Sequence, residues 1–481
     1  MSDAALGGMV LAAYLLVLLG VAALARRARA DGSPADHFLG GRELGVSILF
    51  LTLYATAYSG NSLLGYPGEA YRRGFSWIMA TGFMMSIMVV FHLLAPRLRP
   101  VALRHGFVTP GDWIRHRFAG QPGVDLLRQL VALLMSVALA NFLLAQLVAM
   151  GHVAHALTGG LLPYAGGVVG LAALILFYET WGGLRAVAWT DAVQGILMML
   201  GLATLLGWLL GEGGGLPATT RAIVALRPDA LALPGAREQL NWASTLVLLG
   251  LASVVYPQAI QRIFAARSGR SLSRAFALMT FMPLTTTLVV TLIGWAAIPR
   301  LVGLGALQAD TVMPRLLQAW AAEGSVAAWG AALVFVGALS AIMSTADSVL
   351  LSLGSVIAAD LLGRSRNDPD TTRLGKRAAA LVLVGAVLLA LTPRLTLWRL
   401  IELKMELLIQ CSPAFLLALH WSRLDARCTL AGALTGTLLA GGLALLGVPR
   451  LAGIHVGVVG LAGNLAVAIL GTRWGATRRR L

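Results

Sequence analysis

Apolar residues in this chain gather into long blocks separated by short polar punctuation. A helix needs about 20 apolar residues to cross a bilayer. Blocks of that kind fall at roughly 5–25, 46–66, 74–95, 126–157, 162–179, 183–211, 241–264, 272–299, 325–358, 377–393, 397–420, 428–447 and 452–471. The pattern predicts an all-α polytopic membrane protein with about 13 transmembrane helices. The fourth and ninth blocks are longer than a bilayer requires, so tilt or extension past the lipid is expected there.

Three blocks carry polar residues where hydrocarbon is expected. Residues 330–358 hold no Lys, Arg, Glu or Pro, yet Ser344, Thr345, Asp347 and Ser348 sit in their middle. On a helix Ala341, Ser344, Thr345 and Ser348 share one face. Such groups are costly at mid-membrane depth, and the face predicts a cation site. The second block is interrupted at Tyr58, Ser59, Gly60 and Asn61. Alone, that stretch would serve equally as a packing notch between helices. The seventh block is broken at Tyr256, Pro257 and Gln258, where proline frees a backbone carbonyl. Two interrupted spans, five spans apart, divide spans 2–6 and 7–11 into halves that each open on a discontinuous helix. That arrangement points to an inverted-repeat carrier with its site at the breaks. The expected divisions are a peripheral span at 1–30, core halves at 31–211 and 239–421 around an outer loop at 212–238, and two peripheral spans with a basic tail at 422–481.

Composition agrees. Only 12% of residues are charged and mean hydropathy is +0.80, against about a quarter charged in soluble domains. The net charge of +16 would suit nucleic acid in a soluble protein. Here it follows the accumulation of Arg in cytoplasmic loops, and no nucleic-acid partner is expected. With the N-terminus outside, 25 of the 37 basic residues, Arg262 among them, fall in cytoplasmic segments, ten in outer ones, and Arg128 and Lys404 within spans. The first block has Arg26, Arg27 and Arg29 behind it, unlike a cleaved signal. Cys411 and Cys428 imply no disulfide framework. The spans show no nucleophile–base pair or metal cluster, so no enzyme activity is expected. In the eleventh block Glu402 and Glu406 share a face that excludes Lys404, and the three together suggest a charge cluster snorkelling to the headgroups, with an outer-gate or partner contact as the alternative.

Three stretches carry a family likeness. FLGGRELG (Phe38 to Gly45), ETWGGLRAVAWTDAVQGILMMLG (Glu179 to Gly201) and SAIMSTADS (Ser340 to Ser348) resemble, in order, the segment before the first core helix, the signature at the sixth span and the eighth core helix of the sodium:solute symporter family. The likeness covers nearly the whole chain and implies the LeuT-like five-plus-five fold. It also implies a sodium ion as coupling ion, with no organic cofactor. Carried over by position, the ligands are the carbonyls of Ala55, Tyr58 and Ala341 and the hydroxyls of Ser344 and Thr345. Some members hold a second sodium ion, which maps to Asp191, Ser344, Asp347 and Ser348. Asp347 stands where those relatives have a hydroxyl, and proton coupling through Asp191 or Asp347 is the alternative. A solute sensor is a third reading.

The solute is expected among Tyr58, Ser59, Gly60, Asn61, Asn141, Gln146, Tyr256, Pro257 and Gln258. YPQAIQR resembles the proline and pantothenate branch rather than the sugar branch, which implies a small carboxylate-bearing solute such as an amino acid, a monocarboxylate or a pantothenate-like acid. Ala57 stands where the proline branch has Asp, which argues against proline itself. The partners so implied are a small organic solute, sodium and the lipid bilayer of the cell (inner) membrane.

Overall fold

The computed structural model describes residues 3–27, 34–211, 214–365 and 368–478. Its main helices are α1 (Asp3–Arg27), α2 (Val46–Ala57), α3 (Ala80–His105), α4 (Val124–Leu157), α5 (Tyr164–Gly211), α6 (Ala236–Ser253), α7 (Pro257–Ala265), α8 (Gly269–Met279), α9 (Leu288–Ala297), α10 (Ser325–Ser355), α11 (Pro369–Ala390), α12 (Leu397–Leu408), α13 (Ala426–Leu445) and α14 (Val456–Arg478). Among the described residues, eight helical segments are long and apolar enough to cross a membrane. The pair α6–α7, bent by 51°, makes a ninth. Several of the other predicted spans are cut short or carry charge. Val46–Ala57 is apolar but stops at a break, and α12 carries Arg399, Glu402, Lys404 and Glu406.

α5 and α10 form the most extensive helix pair of the core. Glycines let their backbones approach closely. A Cβ on Gly337 would lie 2.9 Å from the Leu197 carbonyl oxygen, and one on Gly201 would lie 3.2 Å from Val334 Cα. α5 itself turns at Gly183, whose φ of 64° and ψ of −168° favour a residue without a side chain. That turn separates the predicted fifth and sixth spans. Outward-facing positions stay apolar, as at Leu16, Val89, Leu388 and Leu438, which suits lipid contact.

Two of the motifs lock together. Arg185 lies 3.4 Å from Asp36 and 3.3 Å from Glu43, and donates to the Gly40 carbonyl. Arg42 donates to the carbonyls of Phe107 and Phe264. Leu44 pairs with the strand-like end of α7, with Leu44 N 3.2 Å from Ala265 O and Arg267 N 3.0 Å from Leu44 O. The entry to the first half is thereby tied to the second half.

Both predicted breaks are present. α2 ends at Ala57, Tyr58 is non-helical (φ −97°, ψ 81°), and the chain resumes as a π-turn at Asn61–Gly65. The second break lies upstream of its expected place: α6 ends at Ser253, the chain turns through 254–256, and Pro257 opens α7. Pro257 and Gln258 thus belong to the new half-helix, because the first position of a helix needs no amide donor and its φ suits proline.

Candidate functional site

At the first break the helical ladder loses a donor. An unbroken helix would aim the Gly60 amide at the Thr56 carbonyl. That amide instead donates to Gln146 Oε1 at 3.0 Å. The freed end of α2 faces the middle of α10. Ser344 Oγ lies 2.9 Å from Ala55 O and 3.1 Å from Ala341 O. Thr345 Oγ1 lies 3.0 Å from Ala341 O, 3.3 Å from Thr56 O and 3.4 Å from Ala55 O. Three carbonyls and two hydroxyls therefore converge in a place with no solvent exposure at Ser344 and Thr345. An all-oxygen set with unwound backbone suits a hard monovalent cation. Four of the five predicted ligand residues meet here. Tyr58 donates its amide to Tyr54 O (3.0 Å) and packs its ring on Tyr54, with ring centres 5.1 Å apart. No hydrogen bond described ties it to the cluster. Thr56, which the sequence did not single out, contributes the third carbonyl.

The glycine at this break has no room to grow. A Cβ on Gly60 would lie 2.6 Å from Ile342 Cγ1 and 2.9 Å from Ala149 Cβ. Gly60→Ala is expected to cost about 1–3 kcal/mol through overpacking, read as a lower unfolding temperature of the purified protein.

Asp191 sits in the middle of α5 with no exposure. Its carboxylate accepts from Thr52 and lies 3.0 Å from Arg262 Nη2. Arg262 was expected among the cytoplasmic basic residues. It is instead 1% exposed, and it also donates to Ser348 Oγ (2.5 Å), Thr52 Oγ1 (2.9 Å) and Gln258 O (3.1 Å). The family resemblance places Asp191 and Ser348 among the ligands of a second cation, whereas in the structure both bond the Arg262 guanidinium. The side chain comes from α7, turned inward by the second break. Asp347 is also buried and lies within electrostatic reach of Arg262 and Tyr14. Ser344 belongs to the first cluster.

A cavity of about 80 Å³ opens against both breaks. Ser59, Asn61, Tyr256 and Gln258 line it, as expected. Tyr58, Gly60, Asn141, Gln146 and Pro257 do not appear in its wall. Gln146 is spent on the Gly60 amide, and Tyr58 is turned onto Tyr54. On α4 it is Phe142 that faces the cavity, so its neighbour Asn141 points about 100° away.

The wall also holds Arg262 and Lys404. The headgroup assignment for the α12 charges is corrected: Glu402, Lys404 and Glu406 are 3%, 2% and 5% exposed. Lys404 Nζ sits 3.0 Å from the centre of the Phe142 ring and 5.4 Å from that of Tyr256. The two acids turn the other way. Glu402 accepts from Trp398, Arg399 and Arg450, and Glu406 from Arg399. The signal was in the spacing, since Lys404 lies off the face that the two glutamates share.

A family model described as "Sodium:solute symporter family" matches residues 37–438. The sodium/pantothenate symporter of Escherichia coli (strain K12) is 28% identical over 97% of this chain and 96% of its own length. The high-affinity proline transporter PutP of Bacillus subtilis (strain 168) is 28% identical over 83% and 85%. Among solved structures, a Na+-coupled sialic acid symporter in a substrate-bound outward-open state superposes with a TM-score of 0.78 at 18% identity, covering 97% of both chains. Mhp1, a nucleobase-cation-symport-1 family transporter, superposes with a TM-score of 0.58 at 16% identity, covering 92% and 95%. These neighbours give the fold as the all-α, LeuT-like one. Since the family model spans most of its length, the chain belongs to the sodium:solute symporter family and is a multi-pass membrane transporter rather than an enzyme.

Proposed function

We propose that this protein is a sodium-coupled symporter for a small carboxylate-bearing organic solute, working by alternating access with its N-terminus outside and its C-terminus in the cytoplasm. The observation that carries the reading is the five-oxygen cluster formed by Ala55, Thr56, Ala341, Ser344 and Thr345, which shares its unwound segment with the cavity wall. An ion between α2 and α10 would hold the half-helix that presents Ser59 and Asn61 to the solute. One sodium ion suffices in this reading, because Arg262 already neutralises Asp191. The relatives named for pantothenate and for proline are each named for a solute with one carboxylate.

The test is uptake into proteoliposomes under an inward sodium gradient, across a panel of pantothenate, monocarboxylates, amino acids and sugars. Accumulation that requires sodium supports the reading. Uptake that follows a pH gradient with sodium absent would assign the coupling to protons, and binding without flux would make the protein a sensor.

A further inference from the structure

We propose that Lys404 is the carboxylate-binding group of the cavity, and that the solute it receives is a net anion with hydrogen-bonding groups on its body rather than a zwitterion. The inference rests on the symporter reading above and narrows the solute class within it.

Lys404 is 2% exposed and faces the cavity. No carboxylate lies within ion-pair distance of it among the described residues. The nearest acids in sequence are engaged elsewhere: Glu402 with Arg399 and Arg450, Glu406 with Arg399. What Lys404 has instead is two aromatic faces, those of Phe142 and Tyr256, whose stacked rings lie 5.7 Å apart at 21°. Aromatic faces attract an ammonium but do not replace a counter-ion for a buried one. A solute carboxylate arriving in the cavity supplies that counter-ion.

The other cation of the wall does not compete for it. Arg262 Nη2 is already held by Asp191 and Ser348. The described wall contains two basic side chains and no Asp or Glu. An ammonium on the solute would therefore meet Lys404 with no acid in the wall to offset the repulsion. Ala57 is part of this wall and adds no charge to it. The opposite requirement holds for neutral polar groups. Asn61 is 1% exposed, lines the cavity, and neither its Oδ1 nor its Nδ2 has a hydrogen-bond partner. Gln258 Oε1 is likewise buried in the wall without one. Buried amides of this kind need partners, and hydroxyl or amide groups on the solute provide them. The class is a hydroxylated or amide-bearing monocarboxylic acid.

The test uses the full-length protein, purified in sodium, and compares acids with neutral partners of the same shape: pantothenate against panthenol, whose alcohol replaces the carboxylate, and lactate against propane-1,2-diol, with L-proline as the zwitterion. At least one acid is expected to bind about tenfold or more tightly than its neutral partner, a charge-assisted bond being the difference, and more tightly than L-proline. Lys404→Met should bring acid and neutral partner to within about twofold, and Lys404→Arg should keep the preference. Sodium-induced thermal stabilisation without solute should be unchanged in Lys404→Met, showing that the fold and the ion cluster are intact. A Lys404→Met protein that keeps the wild-type preference overturns the proposal. So does a wild type in which no acid outranks its neutral partner. Failure of the symporter reading looks different: the acid preference and its dependence on Lys404 would persist while sodium had no effect on binding or uptake.

Discussion

Replacing Ser344 and Thr345 together with Ala is expected to lower sodium-driven uptake by about 100-fold or more, while the protein stays folded. The magnitude follows from removing two of five oxygens around the proposed ion, in a place water does not reach, each hydrogen-bond-strength interaction being worth about 1–1.5 kcal/mol and an ion contact more. A bland role predicts otherwise. Thr345 Oγ1 already lies 3.0 Å from the carbonyl one turn back, at Ala341, the usual resting place of a threonine within a helix. If that were its whole purpose, Ala would affect stability alone and leave sodium affinity unchanged. The contacts that cross to another helix, from Ser344 to Ala55 and from Thr345 to Ala55 and Thr56, are what a local bond does not explain. Uptake measured against external sodium concentration separates the two roles.

Arg262→Met should destabilise the protein by about 3–5 kcal/mol, the cost of leaving a buried carboxylate without its partner. Asp191 has no exposure and Arg262 is 1% exposed, so neither charge can relax into water. Asp191→Asn is expected to have a similar effect by stranding the guanidinium. The combined Asp191→Asn and Arg262→Met protein should recover much of the loss, because no unpaired charge remains of the two. Thermal unfolding of the four proteins in one detergent and one lipid mixture reads the result. Equal and additive losses would show that the two side chains do not act as a pair. Recovery of stability without recovery of uptake would place the pair in the transport cycle as well as in the fold. The network joins α7 to α5 and α10, and Gln261 extends it through Ser352 and Ser355.

The architecture was legible because bilayers enforce it. Each apolar block needed a helix, and the interruptions at Tyr58 and near Pro257, each ambiguous alone, read as breaks because they stand five spans apart. The hydroxyl face of Ser344 and Thr345 was legible for a related reason, since hydroxyls at helical spacing deep in an apolar run stand out, whereas its carbonyl partners on α2 came from the family resemblance. Arg262 and Lys404 were missed because one-dimensional depth misleads near a discontinuity. Arg262 lies close to a basic loop in sequence, yet the turn at 254–256 carries its half-helix inward. Lys404 sits between two acids, yet those acids face Arg399 and Arg450 on the other side of α12. The candidates that fell outside the cavity failed for local reasons. Gln146 was needed by the amide that the break released, and Asn141 is one residue out of phase with Phe142. Which of several polar neighbours meets a cavity depends on rotation about the helix axis, and an isolated polar residue in a span does not specify that rotation.

In the proposed reading sodium and solute share the segment from Ala55 to Asn61, and any change that one makes in the other's affinity is reciprocal, by the same factor. The direct measurement is a pair of equilibrium titrations on the purified protein: an acid identified by the screen, with and without sodium, and sodium, with and without that acid. Tightening of both by one common factor of about tenfold or more is the expected result. Two affinities that each ignore the other ligand would contradict the claim that the break couples them.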